Sequence, residues 1–441
     1  MNKEVTLYQI LQAREDRAAR QQELLERYGR TLICFTMNIP GPVKISPLIR
    51  RSFRWGLRQL DEAFPQPLHR QIREEITGCE AFYVPDLPAE EAKRRCAGIE
   101  DGTALGRLFD MDVIAPTGEK LDRALVGGGS RNCIVCGATG RGCASRRLHS
   151  VAELTAAVTA VMEAHFLEMD SCRIGHLAAQ SLLEEVHTTP KPGLVDRRNN
   201  GSHRDMDLPL FIASAEALEP YFAQCVRIGR ETREEPPEVT FRALRTAGLA
   251  AEETMYRVTS GVNTHKGAIF TLGLLCGSAG RLWKPEAVDV SLEDLLARCG
   301  ELGSCALSRD FGQLTVPETA GEKLYVNHGL TGIRGEAAAG LPSARMGLEI
   351  FREALARGKD PNDAGVLTLL HLMAKVEDTN LYHRGGEAGA AWAKAEAEKL
   401  LPCADRERVE ALDDAFIARN LSPGGCADLL AVTYFLHRLS P

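Results

Sequence analysis

Apolar positions recur at two different spacings along this chain, and the change falls near residue 170. Before it, helical patterns alternate with short extended runs. Leu7 to Tyr28 is a charged, helix-favouring stretch, Thr31 to Met37 is β-branched and aromatic, and Pro47 to Phe64 reads as a basic amphipathic helix. Ala81 to Val84 and Arg107 to Ile114 are strand-like. The alternation predicts an N-terminal α/β or α+β domain of about 165 residues. Val151 to Leu167 and Cys172 to Val186 predict two successive helices, the second capped by Asp170 or Ser171. Helical spacing then recurs over Leu208 to Tyr221, Phe241 to Thr259, Ala268 to Leu275, Ala344 to Ala356, Ala364 to Lys375, Ala388 to Leu401 and Asp428 to Leu439. The C-terminal part is therefore expected to be an all-α helical domain. With no Gly/Ser- or Pro-rich tether between them, domains at 1–168 and 169–441 are expected to pack and not to tumble freely.

The loops between the C-terminal helices concentrate Gly, Asn, His and charge: Thr188 to Ser202, Gly261 to Gly267, Gly329 to Gly340, Asp378 to Gly386 and Ser422 to Gly425. Such loops on a helical scaffold are where chemistry sits. Composition narrows the classes. The 441 residues carry 53 Lys and Arg against 60 Asp and Glu, a net charge of −7, so no nucleic-acid or anionic-membrane partner is expected. Local basic clusters exist at Arg50, Arg51, Arg54 and Arg58, and at Arg131, Arg141, Arg146 and Arg147; each is a solvated face or a phosphate cradle. The first residues lack an apolar leader, and the longest apolar stretch, Gly267 to Leu275, is far short of a membrane span, so a cytoplasmic protein is expected. Thirteen scattered cysteines argue for reduced thiols.

Asp-Met-Asp occurs twice, at Asp110 to Asp112 and at Asp205 to Asp207. Roughly one Asp-x-Asp is expected by chance in a chain of this size, so the surroundings must decide. The first copy lies in a strand pattern, which projects Asp110 and Asp112 from one face. Such a pair can hold Mg²⁺ against a polyphosphate and stabilise pyrophosphate as it leaves, the arrangement of a nucleotidyltransferase-like site. The alternative is a solvent-facing sheet edge. Downstream, Cys133, Cys136, Cys143 and His149 resemble a zinc knuckle, but their spacing matches no common zinc module, and the interleaved Arg131, Arg146 and Arg147 fit phosphate better than a structural metal.

Gly106-Arg107-Leu108-Phe109-Asp110-Met111-Asp112-Val113, with Arg131-Asn132-Cys133-Ile134-Val135-Cys136 and Arg146-Arg147-Leu148-His149, resembles the citrate lyase holo-acyl-carrier-protein synthase family, the CitX type, over about residues 3 to 168. The resemblance implies transfer of a phosphoribosyl-dephospho-CoA group from its triphosphate precursor to a serine of the apo-citrate lyase acyl carrier (gamma) subunit, with release of pyrophosphate. It implies Asp110 and Asp112 as the Mg²⁺-binding catalytic pair.

In the second half, Thr188-Thr189-Pro190-Lys191-Pro192-Gly193-Leu194-Val195-Asp196 is a stiff loop that holds Lys191 between two prolines. Asp205 and Asp207 precede a helix, where they either bind metal or cap. Gly261-Val262-Asn263-Thr264-His265-Lys266-Gly267 opens an apolar helix and makes a polyphosphate seat from backbone amides, Asn263, His265 and Lys266. His265 could equally serve as a helix-start hydrogen bond. These blocks, with Glu252, Gly332-Ile333-Arg334-Gly335-Glu336, Asp378-Thr379-Asn380, Arg384, Ser422-Pro423-Gly424-Gly425 and Asp428, resemble the triphosphoribosyl-dephospho-CoA synthase family, the CitG type, over about residues 172 to 440. The resemblance implies joining of ATP to 3′-dephospho-CoA: the 2′-hydroxyl attacks the anomeric carbon of ATP, and adenine departs. His187 stands where that family usually has Ser after Glu-Val.

This chemistry calls for cations and Mg²⁺ at the triphosphate, a base for the hydroxyl and a proton for adenine. Lys191, Lys266 and Arg334 suit the phosphates. Asp196, Asp205, Asp207 and Asp378 are candidates for metal binding or base catalysis, with Glu252 and Glu336 behind them and His265 a direct catalytic candidate. The expected whole is a bifunctional transferase that makes the citrate lyase prosthetic group and attaches it. Two other readings stand beside it: the same chemistry serving malonate decarboxylase, told apart by which carrier gains mass, and a zinc-containing interaction module fused to a helical scaffold.

Overall fold

The computed structural model describes residues 3–129, 131–138, 143, 146–287, 290–311 and 320–440. Two compact units divide the chain, Met1–Leu167 with Pro285–Ala287, and Glu168–Lys284 with Val288–Pro441.

The first unit runs α1 (Leu7–Tyr28), β1 (Leu32–Met37), α2 (Pro47–Ala63), β2 (His69–Glu75), β3 (Gly78–Val84), α3 (Ala89–Gly102) and β4 (Phe109–Ile114). Local signals set the ends of α1. The Thr6 hydroxyl accepts the Gln9 N–H at 3.3 Å while Gln9 Oε1 accepts the Thr6 N–H at 2.9 Å, and Gly29 closes the helix at φ 57°. Ser46 accepts the Ile49 N–H at 3.2 Å and Pro47 opens α2. The four strands form an antiparallel sheet ordered β2-β3-β1-β4, so of the two predicted classes the domain is α+β.

Period-two alternation gives this sheet two faces. Ile33 and Phe35 pair with Val113 and Met111 on one face, where Phe35 stacks on Phe53 of α2 at 4.7 Å. Leu32, Cys34, Phe82, Val84 and Ile114 on the other pack against Leu24 and Leu25 of α1. The sequence reading missed β2 and α3. His69–Glu75 carries one aliphatic residue, Ile72, because it is an outer strand with little to bury.

Val151–His187 is one helix of 37 residues, α4, which starts in the first unit and ends in the second. Two helices were expected, with a break at Asp170 and Ser171. No break occurs because Asp170, buried, spends its carboxylate on the Trp283 indole N–H at 2.8 Å instead of capping a helix. The second unit continues with α5 (Leu208–Glu231), α6 (Pro237–Val258), α7 (Lys266–Leu282), α8 (Leu292–Phe311), α9 (Ala320–His328), α10 (Gly332–Ala338), α11 (Pro342–Ala356), α12 (Pro361–Lys375), α13 (Thr379–Leu400), α14 (Arg406–Ala418) and α15 (Gly424–Leu439). It is all-α, as expected. Helices α5 and α7 approach backbone to backbone: a Cβ on Gly229 would meet the Gly277 carbonyl oxygen at 1.9 Å, and one on Gly280 would meet that of Val226 at 2.0 Å. Among the described residues, no helix is long and apolar enough to cross a membrane.

Candidate active sites

In the first unit, the alternation of β4 buries Phe109, Met111 and Val113 and leaves Asp110 and Asp112 on the opposite face, across from Thr36 and Cys34 of β1. The outward-facing backbone of this edge strand is not left open. Glu100 of α3 accepts the Met111 N–H at 2.8 Å, and Lys93 of α3 donates to the Met111 carbonyl at 3.0 Å, both from buried side chains. Arg131 pairs with Glu100 at 2.8 Å and donates to the Phe109 carbonyl at 3.0 Å. The Asp pair thus stands on a strand clamped by three charged side chains, two of which, Lys93 and Glu100, sequence reading had not singled out. Their spacing of seven residues on one helical face was the available signal.

Asp112 pairs with Lys120 at 2.6 Å. The Asp110 carboxyl is pushed up, first by desolvation and then by the neighbouring Asp112, while Lys120, Arg131 and Lys93 pull it down. Two mutually repelling carboxylates with hard oxygen donors fit a divalent cation such as Mg²⁺, which would relieve that repulsion. Arg131 is committed largely to backbone and Glu100. Arg146 and Arg147 are exposed, and Arg141 lies outside the described residues. In the other basic cluster, Arg50 and Arg54 pair with Glu74 at 3.2 and 3.6 Å.

The second unit holds a cavity of about 1280 Å³. Of the sequence candidates it gathers Lys191, Glu252, Asn263, His265, Lys266, Arg334, Glu336 and Asp378. Asp196, Asp205 and Asp207 are not among its lining residues. Asp196 braces its own loop, accepting the N–H groups of Lys191 at 2.8 Å and Arg198 at 2.6 Å. Asp207 caps α5 through the Leu210 N–H at 3.0 Å, and Asp205 is exposed beside it. The second Asp-Met-Asp is therefore a helix entry, and Met206, not either carboxylate, reaches the cavity wall.

Along the wall, Lys191 is almost wholly buried and donates to the Glu185 carbonyl at 2.7 Å and to its carboxylate. It is a neutralised pair and not a free phosphate ligand. Lys266, half exposed at the start of α7, faces Glu252 at 2.9 Å; Arg334 donates to Asp310 at 2.5 Å. Asn263 accepts the Lys266 N–H at 3.2 Å, which orders the helix start. His265 is buried, its Nδ1 2.8 Å from the Ser214 hydroxyl, and Ser214 in turn accepts the Thr264 hydroxyl at 2.8 Å. The one Ser214 proton then goes to Nδ1, leaving the His265 proton on Nε2. Burial, and after it Lys191, pulls the imidazole down to about 3, so it is neutral near pH 7.

Asp378 caps α13 and accepts the N–H groups of Asn380 and Cys426, each at 2.8 Å; burial pushes its carboxyl up. Asp428 of α15 accepts the Ala268 N–H at the start of α7, and its carboxyl is pushed well up by burial and then by Glu185 and Asp378. A Cβ on Gly267 would lie 1.9 Å from Asp428 Oδ2, so this approach requires glycine. Asp428, Glu185, Ser214 and Asp310 were given no role from sequence. A lone carboxylate inside the apolar Cys426 to Leu436 pattern was the readable sign for Asp428.

Residues 171–441 match the family described as ATP:dephospho-CoA triphosphoribosyl transferase (CitG), and residues 5–165 match that described as apo-citrate lyase phosphoribosyl-dephospho-CoA transferase (CitX). A curated relative, "Protein CitXG" of Haemophilus influenzae, is 37% identical over 98% of this chain and 96% of its own length. "Protein CitXG" of Leuconostoc mesenteroides subsp. cremoris is 32% identical over 99% of this chain and 97% of its own. The 2-(5''-triphosphoribosyl)-3'-dephosphocoenzyme-A synthase of Pectobacterium atrosepticum is 44% identical over 64% of this chain and 95% of its own. Near-complete coverage by fused relatives, with each half matching its own transferase family, shows that the chain belongs to the CitXG family and is a transferase of citrate lyase prosthetic-group synthesis.

Proposed function

We propose that residues 169–441 join ATP to 3′-dephospho-CoA and residues 1–168 transfer the product to a serine of the apo-citrate lyase acyl carrier subunit. The observation that carries the first half is the cavity, whose lining holds cationic Lys266 and Arg334 together with Asp378 and Asp428, two carboxyls that burial pushes up. Lys266, Arg334 and the amides at the α7 start hold the triphosphate. Glu252 accepts the proton of the attacking 2′-hydroxyl; a C–O bond forms at the ribose anomeric carbon as the bond to adenine breaks. Asp428 gives its proton to the departing base. Neutral His265, an N–H donor at Nε2, orients the nucleotide without adding charge.

In the first unit, Asp110 and Asp112 would hold Mg²⁺, which when bound neutralises the triphosphate. Exposed Arg146 and Arg147 approach the same phosphates, and Arg131 positions the strand. Pyrophosphate leaves as the carrier serine oxygen bonds to phosphorus. A nucleotidyltransferase-like role for the antiparallel sheet follows from this reading. No disulfide joins any of the thirteen cysteines, which suits a cytoplasmic setting. Family membership favours citrate lyase over malonate decarboxylase.

Incubation with ATP, dephospho-CoA, Mg²⁺ and apo-carrier, followed by the mass of the carrier and assay of free adenine, tests the whole. Adenine release without a gain in carrier mass would sink the second assignment; loading of a malonate decarboxylase carrier in preference would redirect it. Lys266→Ala should lower adenine release about a hundredfold, chiefly through a raised KM for ATP, while loading from supplied triphosphate precursor stays unchanged. An unchanged KM would remove Lys266 from the triphosphate.

A further inference from the structure

Cys133, Cys136, Cys143 and His149 lie between β4 and α4, and their ligand atoms, three sulfurs and one imidazole nitrogen, are all within 4.8 Å of one another. We propose that this cluster is a structural Cys₃His zinc site that ties the arginine-bearing segment to the strand carrying Asp110 and Asp112. Bond lengths of about 2.3 Å to sulfur and 2.0–2.1 Å to nitrogen place tetrahedral ligand atoms roughly 3.5–3.8 Å apart. The cluster needs only small side-chain movement to reach that. Cys136 Sγ and Cys143 Sγ already stand 3.5 Å apart.

The loop is built as a knuckle. Cys133 N–H donates to the Ala138 carbonyl and Gly137 N–H to the Cys133 carbonyl, each at 2.9 Å, and Gly137 takes φ 70°, so the chain doubles back directly after the second cysteine. Backbone N–H groups of Cys136 and Val135 point at the Cys133 sulfur. His149 Nε2 is buried with no hydrogen-bond partner among the described residues, a nitrogen available to a metal. Three soft thiolates and an imidazole select zinc over magnesium, and four protein ligands leave no open position, which makes the role structural. Sequence spacing weighed against this reading; the fold supplies the convergence that spacing lacked.

Position gives the site its purpose. Arg131 is two residues before Cys133 and holds the Phe109 carbonyl and Glu100; Arg146 and Arg147 run directly into His149 through Leu148. Zinc binding replaces three thiol protons and fixes both ends of this basic segment.

The full chain, purified from zinc-supplemented medium and desalted, should contain about one zinc per molecule by elemental analysis. Cys136→Ser and His149→Ala should each lose most of it. Cobalt added to metal-stripped wild-type protein should give thiolate-to-cobalt charge-transfer bands and intense tetrahedral visible bands, a readout that needs no variant. Wild-type protein with less than about a tenth of an equivalent of zinc and no cobalt bands would overturn the site. So would a Cys136–Cys143 disulfide in the untreated protein, or full zinc retention in both variants. The role, which rests on the proposed reading of the first unit, has its own arm. Stripping zinc should lower carrier loading about tenfold and leave adenine release intact, whereas unaltered loading would refute the role but not the metal.

Discussion

Asp110→Asn should cut carrier loading about a thousandfold while adenine release from ATP and dephospho-CoA stays within about twofold of the unaltered protein. The asparagine keeps the size and one oxygen of the aspartate, and the strand beneath it is held independently: Glu100 and Lys93 grip the backbone of Met111, and Arg131 grips that of Phe109. Structure should therefore survive. Stability is the discriminating second measurement. Asp112 is among the groups that push the Asp110 carboxyl up, so removing the charge relieves a like-charge repulsion. The thermal midpoint should hold or rise as activity collapses, whereas a residue needed for packing would lose both. Loss of adenine release along with loading in a folded variant would show that the two halves do not act as separate sites.

How much of this could be read in advance depended on what each segment buries. Helix α1 was legible to its last residue because Thr6, Gln9 and Gly29 close it by local rules. The strand bearing Asp110 was legible because apolar and acidic residues alternate on it. Strand β2 was not, since Arg, Gln and Glu surround Ile72 at an outer position where burial gives no pattern. At Asp170 the local rule misled, because a helix cap and a buried acceptor for Trp283 look alike in one dimension.

The same limit governed the sites. Asp205 and Asp207 carry a metal-like spacing, yet period 3.6 begins directly after them, and the hydrogen bond to Leu210 settles Asp207 as a cap. Asp196 lies in the most distinctive loop of the chain and turns inward to hold it. Lys191, expected at a phosphate, is matched by Glu185, six residues earlier near the end of α4, a pairing that only the fold reveals. Conversely Asp428 and Glu185 lie about 240 residues apart in sequence, yet the fold sets their charges against each other, which no local pattern encodes.

Asp428→Asn should lower adenine release about a thousandfold and leave carrier loading from supplied triphosphate precursor unchanged. The amide oxygen can still accept the Ala268 N–H, so the contact at the α7 start persists and only the transferable proton is lost. The pH profile tests the role. Burial, then the charges of Glu185 and Asp378, raise the Asp428 carboxyl well above its usual value, so the protonated, donating form prevails below that raised pKa and is lost as pH rises through it. Wild-type adenine release should accordingly fall on the alkaline side, and the residual activity of the variant should lack that limb. His265 cannot supply the limb, since its imidazole, pulled down to about 3, is neutral throughout. If the variant kept the alkaline limb of the wild type, Asp428 would be a structural acceptor for the helix start, and the proton for adenine would have to come from another cavity carboxyl that burial holds up, Asp378 or Glu185.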